Sequence, residues 1–254
     1  MLEWWKTPFF GYDSELQQIE IAEENERLDR VQLEREQMQK PIIWDALECP
    51  QGSEVWDDVR GPRATGSEID RVLTPAKLEP SKQAKRYAIE CACYLQGIAT
   101  PKQPPTFAME RGTELEPEAR REYESVRGPV QQIGFATPSE NSGWGCSPDA
   151  LVGEDGILEI KCPLEVETVV EYADAGVIPT KYRLQCQFSL WVLQRNWLDF
   201  FAYHPDFAFL CRCVPESKVF AAFEKYVPEF AAEVKRYSQL IEQNKLNIVT
   251  GELI

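Results

Sequence analysis

Two spacings of apolar residues alternate along the chain. Ala108, Leu115, Ala119 and Tyr123 recur at helical intervals between positions 107 and 126, and Val219, Phe220, Phe223, Val227 and Phe230 form one stripe between 217 and 244. Both segments read as helices with one buried face. Residues 84–96 predict another, stopped by Gly97, with two more at 166–175 and 181–194. A short helix at 67–73 would be capped by Thr65 or Ser67. Pro117 predicts a departure from a straight course, and Gly128-Pro129 closes its helix. Short apolar runs at 130–136, 145–152, 157–162, 198–203 and 209–214 are bounded by turn residues such as Pro138-Ser139 and Gly153–Gly156, and predict strands. The first three form a meander. The order implies an α/β (α+β mixed) domain, a central mixed sheet flanked by helices.

The first 52 residues follow neither spacing. Trp4, Trp5, Phe9, Phe10 and Tyr12 make an aromatic opening, and 13–39 read as a charged helix with a sparse stripe, ended by Pro41. Residues 1–52 are therefore expected to be an acidic, aromatic helical extension, and 53–254 the globular domain.

Composition narrows the function. With 43% hydrophobic and 27% charged residues over 254 positions, the chain can bury a core without disulfide or metal staples. The eight cysteines show no C-x-x-C spacing and read as buried thiols of a reducing compartment. Without a signal-peptide apolar region or an 18-residue apolar run, a cytoplasmic location away from membranes is expected. A single histidine, His204, leaves little room for triad or zinc-hydrolase chemistry. The net charge of −15 taken alone argues against nucleic acid as a partner. It does not exclude a metal-dependent nuclease, which gathers carboxylates and needs only a local basic path. Residues 60–86 offer one, with 7 basic against 3 acidic side chains.

The chemistry concentrates in Ser147-Pro148-Asp149 and, ten residues on, Glu159-Ile160-Lys161, a PD-x(n)-E-x-K pattern across a turn between two predicted strands. Strand alternation puts Glu159 and Lys161 on one face, and a hairpin partner ending at Asp149 can bring its carboxylate there. Two hard oxygen ligands plus the Ile160 carbonyl suit Mg²⁺ or Mn²⁺, with Lys161 close enough to steer water. That describes a phosphodiester hydrolase. The alternative, a solvated hairpin, fits poorly with the apolar flanks Ile157, Leu158, Ile160 and Cys162.

The string from Gly143 to Pro163, GWGCSPDALVGEDGILEIKCP, resembles the core of the lambda-exonuclease-like, or YqaJ-type, phage recombinases of the PD-(D/E)xK nuclease superfamily. Three more segments match in order: WDDVRGPRATGSE from Trp56, RGTELEPEA from Arg111, and YRLQCQFSLW from Tyr182. The resemblance covers about 53–235 and implies a restriction-endonuclease-like core. It implies Glu116, Asp149 and Glu159, with the Ile160 carbonyl, as ligands of one or two Mg²⁺ or Mn²⁺ ions. Lys161 would be the catalytic lysine, Gln185 a hydrogen-bonding partner of the water or a site carboxylate, and Arg60 and Ser67 the holders of a DNA 5′ phosphate. The implied activity is 5′→3′ digestion of one strand of linear double-stranded DNA, leaving a 3′ overhang for a single-strand annealing protein. The implied setting is a phage- or prophage-encoded ring trimer in the bacterial cytoplasm. Gly61-Pro62 departs from the family pattern after Arg60, the segment after Pro163 carries Glu165 and Glu167, and residues 1–52 have no counterpart. An endonuclease of the same fold and a catalytically silent DNA-end or protein-binding module are the rival readings. Trp4, Trp56 and Trp144 could stack on bases, but packing is the simpler role.

Overall fold

The computed structural model describes residues 40–98, 104 and 106–245, so the expected helix at 13–39 and the aromatic opening with Trp4 lie outside the described residues. Its elements are β1 (Ile42–Asp45), α1 (Glu54–Arg60), β2 (Ala64–Thr65), a 3₁₀ turn (Gly66–Glu68) running into α2 (Ile69–Val72), α3 (Ala84–Leu95), α4 (Phe107–Arg127), β3 (Ile133–Thr137), β4 (Trp144–Gly145), β5 (Ala150–Val152), β6 (Gly156–Lys161), α5 (Val166–Ala175), α6 (Thr180–Leu193), β7 (Trp197–His204), β8 (Phe207–Cys213) and α7 (Ser217–Gln243).

Strand β6 reads Gly-Ile-Leu-Glu-Ile-Lys, an almost unbroken apolar run of the kind that strands covered on both faces require. It pairs antiparallel with β5 and parallel with β7, and β7 pairs antiparallel with β8. The expected mixed sheet is thus a four-stranded β5-β6-β7-β8 sheet. Alternation sorts its side chains between two cores. Leu158 and Ile160, with Ala150, Phe201 and Tyr203, pack against Ala119 and Tyr123 of α4. Ile157, Leu198, Phe200 and Ala202 face the larger core with Leu184 and Phe188 of α6 and Phe223 of α7. A ring contact between Phe188 and Phe223 at 5.3 Å closes α6 on α7, and Trp144 stacks on Trp191, which gives Trp144 the packing role. Helix α4 runs unbroken through Pro117, begins at Thr106, whose Oγ1 accepts from Met109 N, and ends at Gly128, where φ is +89°.

Three expectations change. Residues 145–152 are not one strand: β4 pairs parallel with β2, β5 belongs to the main sheet, and Cys146–Asp149 between them is irregular. Pro148 has no N–H to give to a ladder, so pairing with the β3 segment survives only as antiparallel bridges at Gln131–Leu151 and Ala136–Cys146. Neither Thr65 nor Ser67 caps the 67–73 helix through its side chain, because both hydroxyls face Arg60 Nη2, at 2.9 and 3.4 Å. Finally, β1 lies before position 53 yet pairs antiparallel with β3, from Ile42 opposite Thr137 to Asp45 opposite Ile133. The segment from Lys40 to Gly52 is therefore part of the folded domain rather than of the extension.

All eight cysteines are free thiols; Cys49, Cys91, Cys146 and Cys186 are buried and the other four partly so. No described helix is long and apolar enough to cross a membrane. Away from the hairpin, buried Asp199 on β7 accepts two bonds from Arg212, at 2.7 and 3.0 Å, and one from Tyr123 Oη at 2.8 Å, tying α4 to the sheet. Asp199→Ala leaves the buried Tyr123 hydroxyl without its acceptor and should cost about 2 kcal/mol, a Tm fall of roughly 4–8 °C. An unchanged melting curve would show that this network is not structural.

Candidate active site

Glu159 and Lys161 sit two residues apart on β6, and their side chains share the face turned toward α6. Glu159 is 2% exposed, in the interior of a strand where a charge survives only with partners. It has two on one oxygen: Lys161 Nζ reaches Oε1 at 2.5 Å and Gln185 Nε2, from α6, at 2.6 Å. The other oxygen, Oε2, is buried and has no hydrogen-bond partner among the described residues. Asp149 ends the irregular segment opposite, where its Oδ2 accepts from Ile160 N at 2.5 Å. The hairpin thus brings Asp149, Glu159, Ile160 and Lys161 together as the alternation predicts, and Gln185 bonds a site carboxylate.

Glu116 comes from the middle of α4 on the far side of the hairpin and pairs with Arg120 one turn on. It lines a cleft of about 530 Å³ that Asp149, Ile160 and Lys161 share. A second pocket of about 230 Å³ is lined by Arg60, Ser67, Asp149, Glu159, Lys161 and Gln185. Asp149 and Lys161 form the wall common to both. Arg60 lies over the Trp56 ring at 5.1 Å, and its Nη2 is held by Thr65 and Ser67. Glu159 and Glu116 thus open onto different pockets, and among the described residues no three His, Cys, Asp or Glu side chains close into a complete ligand cluster.

The electrostatics express this crowding. Burial, reinforced by Glu159, raises the Asp149 carboxyl well above its ordinary value. Burial also raises Glu116, against the opposing pull of Arg120 and Lys161. Burial alone would lower Lys161, but Glu159 and Asp149 outweigh it and push the ammonium up, so it stays protonated through the neutral and mildly alkaline range. Cys162, which also lines the larger cleft, is pushed up to about 12 by burial and the neighbouring Glu116 and Asp149. That shift disfavours the thiolate, the form a nucleophilic cysteine needs. Mutually repelling hard oxygens, one of them an orphan in the interior, are a donor set that suits a hard divalent cation.

Residues 55–196, more than half of the chain, match the YqaJ-like viral recombinase domain. The chain belongs to that family. Its fold is similar to an alkaline exonuclease, LHK-Exo, from Laribacter hongkongensis, at 31% identity and a TM-score of 0.66, covering 76% of this chain and 98% of that one. The structure of LHK-Exo in complex with dAMP matches at 30% identity and a TM-score of 0.67 over the same shares. A phage related exonuclease from Haemophilus somnus 129PT shares the fold at 16% identity and a TM-score of 0.53, over 74% and 98% of the two chains. No curated protein matches the chain by sequence. All the residues expected to form the site lie within the matched segment, whereas the pocket is also lined by Gln51, which precedes it, and Thr65 shares Arg60 with Ser67. Sequence reading missed Gln51 because it lies in a stretch without periodicity. Thr65 was legible only as a helix cap.

Proposed function

We propose that the protein is a Mg²⁺- or Mn²⁺-dependent exonuclease that hydrolyses one strand of linear double-stranded DNA from its 5′ end and leaves a 3′ single strand for recombination by annealing. Membership of the YqaJ-like family and likeness to LHK-Exo support the coarser part, an exonuclease acting on phosphodiesters. The observation that carries the finer part is the small pocket. It puts a guanidinium and a hydroxyl, Arg60 and Ser67, on the same walls as Glu159 and Lys161, a donor pair suited to a terminal phosphate beside the cutting site.

Each residue then has a task. Arg60, set over the Trp56 ring at 5.1 Å and held through Nη2 by Thr65 and Ser67, brings its guanidinium charge to the terminal phosphate. Lys161, a protonated ammonium, cannot serve as general base; it offsets negative charge developing on the scissile phosphate. Gln185 and Lys161 together occupy Glu159 Oε1, which keeps Oε2 turned away from them and available. Asp149, Glu159, the Ile160 carbonyl and Glu116 would hold one or two Mg²⁺ or Mn²⁺ ions, which lower the pKa of water and neutralise charge on phosphate oxygens. By the same family resemblance the product strand passes to a single-strand annealing protein, the assembly is a ring of three chains, and the site of action is the cytoplasm of a bacterial host.

The pocket makes a quantitative statement. Wild-type protein should digest 5′-phosphorylated linear duplex faster than the same duplex with a 5′ hydroxyl, and should leave covalently closed circles intact. Arg60→Ala should reduce that preference about tenfold or more, the equivalent of one charge-assisted hydrogen bond of about 1.5–3 kcal/mol. Nicked circles would make the protein an endonuclease, and an unchanged preference in the variant would remove Arg60 from end recognition.

A further inference from the structure

Residues Cys49 to Gln51 lie before the segment that matches the family, and they are packed against the strand that faces the Asp149 loop. The approach is close: a Cβ on Gly134 would stand 1.8 Å from the Cys49 carbonyl oxygen, so only glycine allows it. At that point the antiparallel pairing between the β3 segment and residues 146–151 is interrupted, since only the bridges Ala136–Cys146 and Gln131–Leu151 remain on either side. The missing rung is replaced by a side chain. Gln51, though exposed at the pocket rim, turns its Nε2 amide inward and donates to both Ile133 O and Pro148 O, each at 3.0 Å. A primary amide has two N–H groups, so one Gln51 side chain joins the two backbones that Pro148 cannot join itself. Trp56 Nε1 adds a parallel link to Gly134 O and Ser147 Oγ, at 3.0 and 2.9 Å.

Pro148 O belongs to the peptide that leads directly into Asp149. Gln51 fixes the peptide on one side of Asp149, and Ile160 N fixes the carboxylate on the other. We propose that Gln51 is a positioning residue for Asp149: by spanning Ile133 O and Pro148 O it sets where the Asp149 carboxylate stands, so that residues upstream of the family's shared domain complete the site. The proposal rests on the reading of Asp149 as a metal ligand. Groups that orient ligands in this way typically change metal affinity about 10–100-fold when removed.

The test measures Mn²⁺ binding to the full chain by titration calorimetry without DNA, beside steady-state digestion of linear duplex. Gln51→Met keeps the length of the side chain and removes both donors. It should raise the Mn²⁺ dissociation constant about tenfold and lower kcat by a similar factor, while KM for DNA ends stays within about twofold. In an Asp149→Asn background the same exchange should weaken Mn²⁺ binding no further, since both changes act through one group. Should the Met variant not fold, Gln51→Asn, too short to span both carbonyls, takes its place with the same expectations. Wild-type binding with an unaffected Gln51 variant, an additive loss in the double variant, or a change in KM alone, which would make Gln51 a DNA contact, overturns the proposal. Absence of Mn²⁺ binding by the wild type would instead overturn the metal site itself.

Discussion

Lys161→Met is expected to abolish measurable digestion of linear duplex, with kcat lower by about 10³-fold, while Mn²⁺ still binds. The two outcomes separate because Lys161, in the proposed mechanism, acts on phosphate charge and is not among the expected ligands. Removing a preorganised donor from a developing oxyanion costs about 10²–10³ in kcat, and a full ammonium in a half-closed cleft belongs at the upper end. The same change strips buried Glu159 of its counter-ion and leaves only the Gln185 amide on Oε1. Breaking a buried pair from one side is costly, about 3 kcal/mol here, so the metal-free variant should melt roughly 6–12 °C lower. Restoration of most of that loss by Mn²⁺ would show that the cation compensates Glu159. Turnover within tenfold of wild type would remove Lys161 from the chemistry.

Asp149→Asn should also end turnover, yet move stability the other way. In the metal-free protein Asp149 is buried beside Glu159, and its carboxyl is held well above the ordinary 3.8. A group whose folded value is raised contributes stability that is fully present below its unfolded value and is lost as pH rises through the folded one. At neutral pH, above the unfolded value, the raised Asp149 carboxyl therefore works against the fold. Asparagine removes that charge but keeps an oxygen that can accept from Ile160 N. The variant should melt about 2–4 °C higher than wild type at pH 7 in EDTA, about 1 kcal/mol, and the gain should vanish below about pH 4. With Mn²⁺ the order should reverse, because only the wild type gains stability from the ion. A variant less stable than wild type at neutral pH without metal would mean that Asp149 is structurally needed as a carboxylate, and that function has not been set against stability at this position.

How much of this was legible in the sequence depended on how local each determinant is. Helix α5 falls on the expected 166–175, and α3, α6 and α7 end within a residue or two of expectation, because a 3.6-residue period repeats over several turns and caps such as Gly97 mark the ends. The E-x-K pair was legible for a similar reason: a period of two over three residues fixes its shared face, whatever surrounds the strand. What escaped depended on distant partners. Strand β1 is four residues long and its partner β3 lies some ninety positions on, so Ile42 and Ile43 carried no periodic signal. The break at Pro148 was visible as a proline but not as a change of strand, since that depends on a parallel β2–β4 pairing and on Gln51 taking over the rung. Thr65 and Ser67 looked like caps because the cap rule is local, whereas Arg60, seven residues before Ser67, claims both hydroxyls across the turn. Glu116 belonged to the expected set, and the structure gives it the larger cleft and Arg120 as partner.

In the proposed mechanism one pocket reads the 5′ end while the adjoining hairpin cuts. The most direct measurement follows linear duplex DNA labelled on either the 5′ or the 3′ end, phosphorylated at its 5′ termini, with Mg²⁺ and with EDTA. Early release of the 5′ label as mononucleotide, late release of the 3′ label, and no release in EDTA are the predicted results. Early release of the 3′ label, or equal digestion with and without the metal, would contradict it.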